Sequence, residues 1–187
     1  MNQRYAPELS LPKAAESRGP AAWAAPLSVA IVAVLVYLIT LHGTFIYDDA
    51  WVILKNWRVT HDWGKIWTTP YALRGPDRLW RPLTLLTFAI EYRIHGATAW
   101  PYHLINIVLH AGVSVAVVAL GRKLAGPRAG WIAGALFAVH PVHVEAVAGI
   151  VGRAELMCTL ATLVGLWLFL KPPSGRRVVG ICACFLV

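Results

Sequence analysis

Charged residues are scarce in this chain. Asp, Glu, Lys and Arg make up 14% of its 187 residues, where a soluble domain carries about 25%. With 58% hydrophobic residues and a mean hydropathy of +0.59, that scarcity excludes a water-soluble globule. It also excludes disorder, which needs low hydrophobicity. Cysteine is nearly missing. Cys158, Cys182 and Cys184 all sit in apolar runs, so there is no disulfide framework, and Cys182-x-Cys184 alone is a poor metal motif. They read as inert membrane-buried thiols. Acidic residues are the scarcest class, 9 against 17 Lys and Arg, a net charge of +8. In a membrane protein such an excess marks cytoplasmic loops. The bases are spread among loops rather than gathered in a patch, so no nucleic-acid partner is expected. Phosphate-cradling G-x-x-x-x-G-K-[ST], H-E-x-x-H and a serine nucleophile elbow are all missing. So is any repeat of about 34 residues.

Long apolar runs are what the chain does have. A spanning helix needs about 20 mainly apolar residues. Candidates run over residues 25–41, 103–120, 129–142 (extendable toward 150) and 155–170. A fifth begins at Val178 and is still apolar at Val187, which makes the chain look like a fragment. The fold class expected is an all-α polytopic membrane protein. A tail, residues 1–24, precedes a membrane domain, residues 25–187, whose long outer loop covers residues 42–102. The first run is no cleavable signal peptide, because a polar stretch precedes it and no A-x-A-like site follows. Arg122, Lys123 and Arg128 lie in one short loop, and Lys171, Arg176 and Arg177 in another. Both loops are expected to be cytoplasmic, which places the tail inside and residues 42–102 outside.

The outer segment holds six of the nine Trp: Trp51, Trp57, Trp63, Trp67, Trp80 and Trp100. They read either as an interfacial aromatic belt or as platforms for a sugar ring. Leu79, Leu83, Leu86, Ile90 and Ile94 recur at steps of four, three, four and four, with Thr84, Thr87 and Glu91 on another side. Pro82 can open this helix, where its missing N–H costs little. The pattern predicts a helix lying at the membrane surface.

Several residues could carry chemistry. Asp48-Asp49 follows the first span, and adjacent carboxylates at a membrane boundary are costly to desolvate. One could take a proton, or the pair could merely cap a helix end. His140-Pro141-x-His143-x-Glu145 lies at the outer end of the third run, with Arg153-x-Glu155 following. Imidazole and carboxylate together can hold a divalent metal such as Mg or Mn, and Asp48, Asp49, His140, His143 and Glu145 are the candidate ligands. Pro141 disturbs helical geometry, however, so these residues need not share a face. Arg153 could clamp a phosphate or pair with Glu155 or lipid headgroups. His103, Asn106 and His110 form one polar stripe on the second run, facing the protein interior. Asp48, Asp49, Arg81, His103, Asn106, His140, His143, Arg153 and Glu155 all map to one side of the membrane by topology alone.

Four strings then become familiar: Phe45-Ile46-Tyr47-Asp48-Asp49, Trp80-Arg81-Pro82-Leu83-Thr84, Tyr102-His103-Leu104-Ile105-Asn106-x-x-Leu109-His110, and the long run from Phe137 through His140-Pro141-Val142-His143-Val144-Glu145 to Gly152-Arg153-Ala154-Glu155. Over about residues 40–170 the chain resembles the membrane half of the transmembrane and tetratricopeptide-repeat O-mannosyltransferases and their bacterial relatives. The resemblance implies a GT-C glycosyltransferase fold with its active site on the lumenal or periplasmic face. It implies a sugar donor, a hexose such as mannose on a polyprenyl phosphate, and a protein Ser or Thr hydroxyl as acceptor. Asp48 and Asp49 match the acidic pair that supplies the base. Arg81, His103, Asn106, His140, His143, Glu145, Arg153 and Glu155 match donor-phosphate or substrate positions, with phosphate contact expected of Arg153. The surface helix is expected to cover the site, and inversion at the anomeric carbon is implied. The Ala- and Arg-rich sequence suggests a bacterial inner membrane with a periplasmic active face. A noncatalytic anchor for a repeat scaffold and a membrane transporter are the rival readings.

Overall fold

The computed structural model describes residues 21–68, 70–71, 79–171 and 174–184. Residues 1–20 of the expected tail and residues 185–187 of the fifth apolar run lie outside them. Among the described residues every regular element is helical: α1 (Ala21–Tyr37), continued by a 3-10 turn at Leu38–His42, then α2 (Trp57–Thr60), α3 (Pro82–His95), α4 (Trp100–Ala125), α5 (Pro127–Val139), α6 (Val144–Ala148), α7 (Arg153–Phe169) and α8 (Gly175–Cys184).

Three stretches are long and apolar enough to cross a membrane: Trp23–His42, Trp100–Ala125 and Ile150–Phe169. The protein is therefore a multi-pass integral membrane protein. The third apolar run is not one straight helix. Its two parts, Pro127–Val139 and Pro141–Ala148, are bent by 51°. Pro141 has no N–H, and its ring forces the preceding residue out of the helical region, so His140 is extended. At about 1.5 Å per residue, α5 alone spans about 20 Å, short of a hydrocarbon core of about 30 Å. The fifth run gives α8, only 10 residues in the described part.

α4 is the central helix, packed against α1, α5 and α7. Pro127 opens α5, and Gly126, with φ 92°, ends α4. This is the usual proline-in, glycine-out order. The two helices then close on a seam of small residues. A Cβ on Gly130 would meet the Arg122 backbone nitrogen at 2.4 Å, and one on Gly134 would meet Val118 Cγ2 at 2.2 Å.

The described residues between 42 and 102 form a packed cap. A π-turn at Ala50–Leu54, α2, a 3-10 turn at Trp63–Trp67 and α3 follow one another. Asn56 and Asp62 cap the second and third, each side chain accepting from a backbone N–H two residues on. Val52, Ile53, Val59, Ile66, Leu85 and Phe88 fill the core beneath. α3 turns its Leu85, Phe88 and Ala89 inward together with Thr84 and Glu91, while Ile90 and Ile94 stay exposed. Of the stripe read from the sequence, Ile90 and Ile94 thus face outward, while Leu83 and Leu86 are half-buried.

Candidate active site

The end of α1, the starts of α4 and α7, and the α5–α7 corner meet beneath the cap. There the fold opens a cleft of about 990 Å³. Asp48, Asp49, Arg81, Glu145 and Glu155 all line it, although they come from four separate parts of the sequence.

The acidic pair is held asymmetrically. Asp49 is 1% exposed. Its Oδ1 accepts from the Val151 backbone N–H at 2.9 Å, and its Oδ2 accepts from the Ile46 N–H at 3.1 Å. Oδ1 thus ties the loop to the α6–α7 corner, and Oδ2 closes the loop on itself. Asp48 is exposed in the cleft. Between Ile46 and Asp48, Tyr47 takes a φ of 44° and is 90% exposed. Left-handed backbone at a non-glycine residue costs about 1–2 kcal/mol, and such strain gathers at functional sites.

Among the described residues, Arg81 contributes the positive charge lining the cleft, with its guanidinium 5.4 Å from the Tyr71 ring centroid. Tyr71 also lines the cleft, and burial pushes its phenol well above the ordinary tyrosine range. Trp51 is the one tryptophan in that lining. Its face is covered by Lys55, whose Nζ lies 3.9 Å from the ring centroid.

Arg153 lies outside the cleft lining. It is wholly buried, and its donors go to protein groups: Nε to Asn106 Oδ1 at 3.0 Å, Nη1 to Thr87 Oγ1 at 3.1 Å and to Glu91 Oε2, and Nη2 to the Tyr102 carbonyl at 3.0 Å. The Phe88 ring lies 4.5 Å beneath it. The phosphate contact expected of Arg153 has no counterpart in this arrangement, because a buried guanidinium must be neutralised in place and Glu91 does so. Burial holds the Glu91 carboxyl above its ordinary range, and its bond to Arg153 only partly pulls it back. Asn106 donates to the carbonyls of Gly149 and Ile150 at 2.9 and 3.2 Å. It braces the corner that carries Val151.

The histidines do not join the acids. His103 is buried beside a second cavity of about 450 Å³, which shares Ile46 and Ala148 with the cleft. Gly43 packs against its ring, since a Cβ there would lie 2.8 Å from Nε2. His140 caps its own turn by accepting from the Val142 N–H. His143 packs on Phe137, with centroids 4.0 Å apart, and on His110 at 5.5 Å. The expected metal set, Asp48, Asp49, His140, His143 and Glu145, is therefore not assembled. Among the described residues no group of three or more His, Cys, Asp or Glu comes together as ligands. Two imidazoles held by aromatic neighbours and a turn do not fit a divalent cation.

Tyr47, Trp51 and Tyr71 also line the cleft; Tyr47 appeared in the sequence only within the string around the acidic pair, and Trp51 only among the tryptophans read as a belt or sugar platforms. The first two had a signal in flanking the acidic pair, whereas Tyr71 had none. Glu91 had one too, as part of the polar stripe Thr84–Thr87–Glu91.

Fold and cleft together define an all-α, multi-pass membrane protein with an acid-lined cleft at one end of its bundle. Sequence comparison places it further. Over 133 residues, 67% of this chain and 16% of the relative, it is 44% identical to the protein O-mannosyl-transferase Tmtc1 of Drosophila melanogaster. It is 38% identical to human protein O-mannosyl-transferase TMTC2 over 149 residues, 75% of this chain and 18% of the relative. Human TMTC4 is 37% identical over 168 residues, covering 75% and 22%. By sequence the chain belongs to this Tmtc family of protein O-mannosyl-transferases. It spans about a fifth of those relatives' length. No family model and no solved structure matches it.

Proposed function

We propose that this chain forms the catalytic end of a GT-C-type glycosyltransferase, which moves a hexose such as mannose from a polyprenyl phosphate to a protein Ser or Thr hydroxyl on the outer face of the membrane. The observation that carries this reading is the pairing of an exposed carboxylate, Asp48, with a cationic side chain, Arg81, across one cleft at the membrane boundary. The names of the relatives supply the reaction class.

In this mechanism Asp48 accepts the proton of the acceptor hydroxyl as its oxygen attacks the anomeric carbon. The bond between that carbon and the phosphate oxygen breaks, and the lipid phosphate leaves with the electron pair. Arg81 stabilises the charge on the departing phosphate, which a guanidinium matches with two N–H donors. Attack opposite the leaving group inverts the anomeric centre. The proton is assigned to Asp48 rather than Asp49 because Asp49 is buried and fixed by two backbone N–H groups, whereas Asp48 is exposed to the cleft. Asp49 holds Asp48 in place.

The test uses the full gene product in membranes, supplied with labelled polyprenyl-phosphate sugars. Asp48→Asn is expected to lower transfer by at least about 100-fold, the usual worth of a general base, with insertion intact. Arg81→Ala is expected to lower it as well, and Arg81→Lys to restore part of the loss. Transfer by Asp48→Asn at the wild-type rate would remove Asp48 as the base. No transfer from any donor by the inserted wild type would favour the noncatalytic anchor.

A further inference from the structure

We infer that Glu91, on α3 and outside the cleft lining, is a positioning residue for Asp48. The inference rests on the reading of Asp48 given above. Polar contacts, linked through the peptide bond between Ile150 and Val151, join Glu91 to Asp49, the neighbour of Asp48. Glu91 Oε2 accepts from Arg153 Nη1. Arg153 Nε donates to Asn106 Oδ1 at 3.0 Å. The Asn106 amide donates to the carbonyls of Gly149 and Ile150. The next backbone N–H, that of Val151, donates to Asp49 Oδ1 at 2.9 Å. Asp49 Oδ2 then closes back on the Ile46 N–H at 3.1 Å, around Tyr47 and Asp48.

Each link matters because of where it sits. Asn106 is wholly buried, and both ends of its amide are used, so it has one orientation. That orientation depends on Arg153, whose place depends on Glu91 as its ion-pair partner. The corner from Gly149 to Gly152 has little freedom to compensate: a Cβ on Gly152 would meet the Ala146 carbonyl oxygen at 2.4 Å. Asp49 therefore inherits its position from α3, and the strained turn at Tyr47 fixes Asp48 relative to Asp49. A buried acid of the cap is thus coupled to the proposed base.

Glu91→Gln tests this most cleanly. It keeps the side chain's length and one acceptor oxygen, removes the charge, and touches no substrate. In the full gene product in membranes, the expected result is a fall in kcat of about tenfold per inserted molecule, corresponding to ~1.4 kcal/mol in activation free energy, with KM for donor and acceptor unchanged. Amide hydrogen exchange at Ile46 and Val151 is expected to speed up while α1 and α5 stay protected. Gly134→Ala, which loosens the bundle without touching this chain of contacts, serves as the control. Should Glu91→Gln fail to insert, Thr87→Val removes a neutral acceptor from the same guanidinium and is expected to act in the same direction. An unchanged kcat, or a loss no larger than that of Gly134→Ala, overturns the inference. If the wild type itself transfers nothing, the reaction proposed above fails, and exchange still decides the coupling: unchanged rates at Ile46 and Val151 overturn it, faster rates sustain it.

Discussion

Tyr47 sits where a glycine would be at ease. Its φ of 44° costs about 1–2 kcal/mol relative to an unstrained backbone, and its ring, 90% exposed, recovers little by packing. Tyr47→Gly is therefore expected to melt at a higher temperature in detergent than Tyr47→Ala, by the equivalent of about 1 kcal/mol. If the ring offers its face to the sugar, both variants lose transfer and Tyr47→Phe keeps it. If only the backbone matters, Tyr47→Gly stays active. The two aspartates separate in the same way. Asp48 is exposed and makes no hydrogen bond or ion pair among the described residues, so Asp48→Asn is expected to leave the melting temperature unchanged. Asp49→Asn must point an amide N–H at a backbone N–H, a mismatch of about 1–3 kcal/mol, so it is expected to lower the melting temperature and transfer together. An unchanged melting temperature for Asp49→Asn would mean that its two hydrogen bonds are not what hold the loop. At this scale the sequence was only partly legible. Asp48, Asp49, Arg81, Glu145 and Glu155 do share one cleft. Arg153 read as a phosphate ligand because an arginine at a helix start looks the same whether it meets a lipid phosphate or an acid on a distant helix. Its partner Glu91 lies 62 residues away.

Among the elements, the α4–α5 hairpin gives the sharpest expectation, because its two glycine contacts differ in kind. A Cβ on Gly134 would press on a side-chain methyl of Val118, while one on Gly130 would press on the backbone nitrogen of Arg122. Both Gly→Ala changes overpack a tight seam, which typically costs about 1–3 kcal/mol. Val118→Ala is expected to rescue Gly134→Ala and to leave Gly130→Ala unrescued, as read by thermal unfolding of the purified double mutants. Equal rescue of both would show that the helices simply move apart. The spans themselves were legible, because a run of about 20 apolar residues has few alternatives to a membrane helix. The break at Pro141 was legible too, since proline's missing N–H is a local cause. The cap over residues 42–102 was not. Its turns of four to five residues carry no hydrophobic period, and what holds them is a core assembled from distant positions such as Ile53, Phe88 and Ile150.

For the whole molecule, the question is which way the bundle faces. α4 and α7 both start at the cleft, as the bonds from Arg153 to Asn106 and to the Tyr102 carbonyl require. Arg122, Lys123 and Arg128 therefore lie at the far end together with Lys171, Arg176 and Arg177. Counting alone does not settle the orientation, because residues 42–102 hold seven Lys and Arg of their own. Among the described residues, however, five of these cations are engaged within the cap. Arg58 is buried, and Lys55, Lys65, Arg81 and Arg93 lie over Trp51, Trp57, Tyr71 and Trp63. A folded domain crosses the membrane largely regardless of such charges, whereas short basic loops stay behind. The cleft is accordingly expected outside and the basic loops inside. With the three native cysteines changed to alanine, a membrane-impermeant thiol reagent on intact cells is expected to label Thr98→Cys, in the turn between α3 and α4. Ser174→Cys, before α8, is expected to react only after permeabilisation. The reverse pattern would put Asp48 on the cytoplasmic side, where an outer-leaflet lipid donor could not reach it, and the proposed reaction would have to be abandoned even with the fold intact.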